Sequence, residues 1–141
     1  MDAMSNGLTK ADIVGSWRIA SMVEIPADGG PERFPFGPAP VGYFHFLDDD
    51  RVSSLVARGD RSVLPSTASD GERLTDLANV AGYSGTYKVL PDRIVVDVEI
   101  CVNQALVGHR FNRIAKIVDG DLHLRTLPEE GAEMRLVWVR P

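Results

Sequence analysis

Apolar and polar positions alternate along most of this chain. Trp17, Ile19, Ser21, Val23 and Ile25 fall on one side of an extended segment; Arg18, Ala20, Met22 and Glu24 fall on the other. Side chains point to opposite faces along a strand, so a period of two predicts a strand with one buried face. Further strands are expected over residues 41–47, 51–58, 83–90, 94–102, 109–118, 122–127 and 134–140. Asp48-Asp49-Asp50, Pro91-Asp92 and Asp119-Gly120 read as turns between them. Helical spacing shows twice. Thr9 with Asp12 predicts a capped turn over residues 10–14, ending at Gly15. Ser69 with Glu72, followed by Leu74, Leu77, Ala78 and Ala81, predicts a short amphipathic helix over 70–80.

Residues 26–40 hold five prolines and three glycines and read as a long irregular connection. Strands and helices do not alternate as a parallel α/β sheet requires. Eight antiparallel strands in sequence predict an all-β fold with one or two short helices. Closed into a barrel, such a sheet loses its edges and leaves room for one small ligand. Residues 1–8 read as a flexible tail and 9–141 as one barrel domain.

Composition narrows the function classes. The 141 residues suffice for one core and carry 44% hydrophobic and 25% charged positions, ordinary globular values. Fifteen Lys and Arg against 20 Asp and Glu give a net charge of −5, with no basic patch, so nucleic acid and anionic membranes are not expected partners. No apolar run is long enough to span a bilayer as a helix. The only cysteine, Cys101, makes no internal disulfide. The first residues form no secretory signal, so a cytoplasmic location is expected. The phosphate-binding, nucleophile-elbow and zinc-helix motifs are absent, and His45, His109 and His123 lack metal-ligand spacing. No cofactor and no metal are expected.

Four segments carry a family resemblance. Gly15-Ser16-Trp17 is similar to the Gly-x-Trp signature that opens the lipocalin and fatty-acid-binding barrels. Pro35-Phe36-Gly37-Pro38-Ala39-Pro40-Val41-Gly42-Tyr43, Tyr83-Ser84-Gly85-Thr86-Tyr87-Lys88-Val89 and Leu136-Val137-Trp138 resemble, in order, segments of the bacterial and fungal lipocalin-like domain family. The resemblance implies a small lipocalin-like β-barrel with an internal pocket, and for some members a place in natural-product pathways, acting on polyketide-like molecules. Two departures stand out. Val96-Asp97-Val98-Glu99 replaces a frequent His-His-Val-Glu, and Asn103-Gln104-Ala105-Leu106 replaces a frequent Phe-Pro-Asn-Trp. Chemistry built on those histidines does not carry over.

Candidate site residues follow from parity. Tyr43 and His45 share a face; turned inward, a desolvated His45 would stay neutral and serve as a base. His109 opens a strand at the barrel mouth, with Phe111, Arg113, Ala115 and Ile117 on its face. His123 is expected in solvent. Arg113 and Arg140 compete to pack over Trp17, as an arginine does in lipocalin-type barrels; the other is left to hold a ligand oxygen. Tyr83 and Tyr87 share a face, and a buried tyrosine needs a partner for its hydroxyl, from backbone or ligand. Asp97 and Glu99 lie opposite the valines: solvated if the valines face inward, a paired acid and base if not.

Two function classes fit. The first is a cofactor-independent cyclase, isomerase or dehydratase acting on an apolar, polyketide- or terpenoid-like substrate, with catalytic candidates Tyr43, His45, Tyr83, His109, Arg113 and, in reserve, Glu99. The second is a carrier for a small hydrophobic ligand without turnover. A subunit that forms a homodimer through a sheet face is a third. Enzyme and carrier differ in whether titratable side chains converge on one point of the pocket.

Overall fold

The computed structural model describes residues 7–127 and 132–141. Eight strands close a barrel in chain order: β1 (Gly15–Ile25), β2 (Val41–Phe46), β3 (Arg51–Ala57), β4 (Val80–Leu90), β5 (Arg93–Cys101), β6 (Arg110–Val118), β7 (Asp121–Thr126) and β8 (Glu133–Val139). Neighbours are antiparallel, and β8 returns to pair with β1. Helix α1 (Lys10–Ile13) precedes the barrel, and α2 (Asp70–Leu77) lies between β3 and β4. A 3₁₀ turn spans Gln104–Leu106. No helix among the described residues is long and apolar enough to cross a membrane.

Strand order puts every tight connection at one end. The β2–β3, β4–β5 and β6–β7 turns lie there with the start of β1 and the end of β8. Asp119 (φ 52°) and Gly120 (φ 87°) both take the left-handed conformation, as a two-residue hairpin demands. Helix α1 plugs this end. Its Lys10 ammonium donates to the Asp50 carboxylate at 2.8 Å, and the buried Ile13 joins Trp17, Phe46, Tyr87, Ile94 and Leu122 in the core. Residues 1–6 of the expected tail lie outside the described residues. Leu8, its last residue, is buried in the core, and its N–H donates to the Pro91 carbonyl.

The long connections meet at the other end: residues 26–40, the 58–79 segment with α2, and 102–109. Helix α2 stops at Leu77, three residues short of the expected end, because Val80 already pairs with Ala57. Its start matches: the Glu72 N–H donates to the Ser69 hydroxyl, and the Ser69 N–H to the Glu72 carboxylate.

Two bulges break the simple alternation. On β1 the register against β8 shifts between Ile19 and Ser21, leaving Ala20 extra. Trp17 and Ile19 face inward as expected, but beyond the bulge Met22 packs against the core. Between β4 and β5 the extra residue is Glu99, so Ser84 pairs with Ile100 and Gly85 with Val98. Ile94, Val96 and Val98 are buried, whereas Ile100 is 68% exposed and Cys101 turns in. One inserted residue reverses every later side chain. Gly85 permits the close approach: a Cβ there would sit 1.9 Å from the Asp97 carbonyl oxygen.

Candidate functional site

The barrel interior divides into a packed half and an open half. Toward the loop end it leaves a cavity of about 170 Å³. Phe44 and Trp138 pack edge to face at 5.0 Å between ring centres, and both belong to the cavity wall. Met22, Val56, Leu124, Met134 and Leu136 form its apolar sides; Ser54, Tyr83, Arg113 and Thr126 bring the polar groups. Tyr83, Arg113, Ala81 and Gly82 also line a vestibule of about 670 Å³ outside the cavity, under α2. Phe36, Leu106, Leu74 and Leu77 complete the vestibule's apolar wall. Leu74 and Leu77 are 68% and 55% exposed, so α2 presents its apolar face without burying it. The bidentate Arg61–Asp76 pair (3.1 and 2.8 Å) ties this helix to the preceding loop.

The polar centre lies where cavity and vestibule meet. Phe111 is its platform: the Arg113 guanidinium lies 4.6 Å from the ring centre, and Tyr83 packs edge-on at 5.3 Å. Tyr83 also meets Phe44 edge-on at 6.1 Å. Burial pushes the Tyr83 hydroxyl up to about 12; nearby Arg113 opposes that shift and Cys101 adds to it. At neutral pH Tyr83 is therefore a protonated donor beside a cation. Such a pair can hold a carbonyl or carboxylate oxygen, or stabilise negative charge developing on one.

Of the six sequence candidates, the structure brings Tyr83 and Arg113 together and separates the other four from them. Tyr43 and His45 share a face, but it is the outer one. Their rings stack at 6.0 Å, Tyr43 is 47% exposed, and His45 Nδ1 lies 2.8 Å from the Ser16 hydroxyl. The wholly apolar pair Phe44 and Phe46 takes the inside, because burying it removes no polar group from water. His109 is exposed just before β6, where its backbone bonds to Val98 and Leu106 while its side chain stays out of the cavity wall. Glu99 is exposed on the outer face, its carboxylate 3.5 Å from Arg51. Asp97 is outside as well, paired with Arg110 at 2.8 Å, which pulls its carboxyl below the usual range. The valine face of β5 is thus the interior, and no acid–base pair forms there.

The contest for Trp17 is settled. Arg140 stacks over its indole at 3.8 Å and donates to the Ser16 and Asp12 carbonyls. Arg113 is the arginine of the cavity. Sequence parity missed Met22 and Cys101 because both lie beyond bulges, and singled out neither Ser54 nor Thr126. None of the described residues lining the cavity is a histidine, aspartate or glutamate. No group of three metal-ligating side chains occurs among the described residues.

A closed eight-stranded barrel with an apolar cavity open toward one end belongs to an architecture suited to binding a small molecule. The lipocalin-like domain family matches residues 14–140, and the chain belongs to that family. No curated protein matches it. Among solved structures, a redesigned β-barrel is similar at 14% identity over 93% of each chain, with a TM-score of 0.46.

Proposed function

We propose that this barrel binds a small, largely apolar molecule, polyketide- or terpenoid-like in character, and holds one of its oxygens between the Tyr83 hydroxyl and the Arg113 guanidinium. The observation that carries the reading is the placement of these two donors at the neck between an apolar cavity and an apolar vestibule. A few convergent polar groups in an apolar concavity are the usual form of a ligand site. Native mass spectrometry of the freshly purified protein, followed by extraction and identification of what it carries, tests it. Ligand retained by the wild type and lost from Tyr83→Phe and Arg113→Met is the expected result. Retention indifferent to both substitutions would place the ligand elsewhere and overturn the reading.

A catalytic reading, cyclisation, isomerisation or dehydration without a cofactor, draws on the same pair: a neutral phenol beside a cation suits an oxygen that gains negative charge in the transition state. It also needs a proton acceptor. With His45, His109 and Glu99 outside the cavity, the described lining residues offer no imidazole or carboxylate for that role. The geometry therefore favours binding over turnover. Incubation of the extracted ligand with wild-type protein, followed by product analysis, separates the two readings.

A further inference from the structure

The outer wall of the barrel differs from one side to the other. On β6, β7 and β8 it carries Lys116, Arg125 and Arg135, all in solvent. On β2 to β5, from the Arg51–Glu99 pair to the loop end, no outward strand position carries a Lys, Arg, Asp or Glu. Val41, Tyr43, Leu55 and Ile100 stand there instead, 47% to 68% exposed. Register joins them into one face: Tyr43 pairs with Leu55, Leu55 with Gly82, and Ser84 with Ile100. A contiguous apolar surface without charge and with an aromatic ring in it has the composition of an interface core.

The same face holds a ridge beside a groove. Leu55 leans across onto β4, where Gly82 makes room for it: a Cβ there would sit 2.7 Å from the Leu55 Cδ1. Between β2 and β3, a groove of about 560 Å³ is walled by Tyr43, His45, Ser53 and Leu55. The rim carries opposite charges on opposite sides. Arg18 of β1, paired in register with Tyr43, is exposed and makes no ion pair among the described residues. Glu99 of β5 is half-exposed, 3.5 Å from Arg51.

We propose that a second copy of the chain docks on this face, in an isologous dimer whose two-fold axis runs along β3. That axis sets the β1 edge of one copy over the β5 edge of the other. Each Leu55 ridge then enters the other copy's groove, and each Arg18 meets the other copy's Glu99. Shape and charge that complement themselves in this way single out a second copy as the occupant. Four strands about 4.8 Å apart and five residues of about 3.4 Å give a footprint on the order of 300 Å² per copy before the rim is added. Stable interfaces cover roughly 800 Å² per partner, so this dimer is weak and forms only at high concentration. The pairing surface is the outside of the barrel and does not depend on what the cavity binds.

Sedimentation velocity of the full chain from about 5 μM to about 500 μM tests it. The expected result is a monomer at the low end and a dimer at the high end. Leu55→Lys sets two like charges at the axis and should leave a monomer throughout, with an unchanged far-UV spectrum because Leu55 is already exposed. Arg18→Glu should weaken the dimer about tenfold, and Arg18→Glu combined with Glu99→Arg should restore it. A wild type still monomeric at the top concentration would overturn the proposal and give the face to another partner. A dimer that survives Leu55→Lys pairs through a different surface and overturns it too. Failure of the double charge reversal to restore what the single one loses removes the two-fold arrangement. The charge-reversal pair decides the matter even where Leu55→Lys fails to fold.

Discussion

The two ends of the barrel use the same three side-chain types in opposite ways. At the turn end, the Trp17 N–H bonds to Ile13, the Tyr87 hydroxyl donates to the Leu47 carbonyl at 2.8 Å, and Arg140 stacks on Trp17. Each polar group there is answered by the chain itself. Toward the loop end, Trp138, Tyr83 and Arg113 surround a cavity. The first set closes the fold; the second borders open space, with Tyr83 and Arg113 meeting over the Phe111 ring. The lesson is that residue type does not mark a site in a barrel of this kind. What marks it is whether the side chain borders open space or packed core.

The largest effect expected from this contrast is on stability. Trp17 is 1% exposed within the packed half. Trp17→Ala should cost about 3–5 kcal/mol, the usual penalty for emptying a large aromatic site. Met134→Ala enlarges a space that already exists and should cost less than about 2 kcal/mol, since fewer packed contacts are lost. Urea unfolding of the two variants checks this. Equal losses would break the division into a structural and a binding half.

Alkaline pH sharpens the comparison next. Burial raises the Tyr83 hydroxyl to about 12 in the folded protein, against roughly 10 in the unfolded chain. Between those values the unfolded state has released the proton and the folded state retains it. The stabilisation is therefore complete below pH ~10 and is lost as pH climbs toward ~12, by about 2–3 kcal/mol in all. Tyr83→Phe should flatten that decline. Burial raises Tyr87 as well, so some slope should remain. Unfolding free energies measured across this range, wild type against Tyr83→Phe, give the answer; identical slopes would mean that Tyr83 is better solvated than its surroundings imply.

The division between the two ends also explains what was legible beforehand. All eight strands could be read from period-two alternation, and both helix starts from their Ser/Thr–acid caps, because these signals are local. Face assignment is not local. On β2 both faces carry aromatic rings, and only comparing Phe44 and Phe46 with the more polar Tyr43 and His45 shows which side is buried more cheaply. On β1 and β5 the alternation is regular in sequence and broken in space by Ala20 and Glu99. A bulge depends on the partner strand's register, so Met22 and Cys101 looked external. Arg113 lies on the inward face that parity gave it because β6 pairs with both neighbours without a register shift. The unpaired N–H of Trp138 had no signature at all, since a missing partner is a property of the assembled barrel.

A tyrosine pair tests the comparison at equal chemistry. Tyr87→Phe removes the donor to Leu47 and should cost about 1 kcal/mol. Tyr83→Phe should change stability at neutral pH by less than about 0.5 kcal/mol, the usual range for a change that breaks no buried network. Affinity for a small apolar ketone probe, α-tetralone, should reverse the order: weakened in Tyr83→Phe and unaltered in Tyr87→Phe. Thermal unfolding and a probe titration on the same two samples read both quantities. Parallel behaviour would show that the hydroxyls do the same work.

The smallest effect concerns the arginines. Arg140 is largely in solvent, and its stacking on Trp17 should be worth about 0.5–1 kcal/mol, the range for an exposed cation–π contact. Arg140→Lys keeps the charge and loses the flat guanidinium, so most of that stabilisation should go. Arg113→Lys is the matched change at the neck. It keeps a cation near Tyr83 but removes the planar donor fork, so a ligand oxygen should be held less well. Melting curves with and without α-tetralone separate the cases: Arg140→Lys should shift both curves down together and keep the gap between them, and Arg113→Lys should shrink that gap. An unchanged gap in Arg113→Lys would leave the neck with charge but no directional role for that guanidinium.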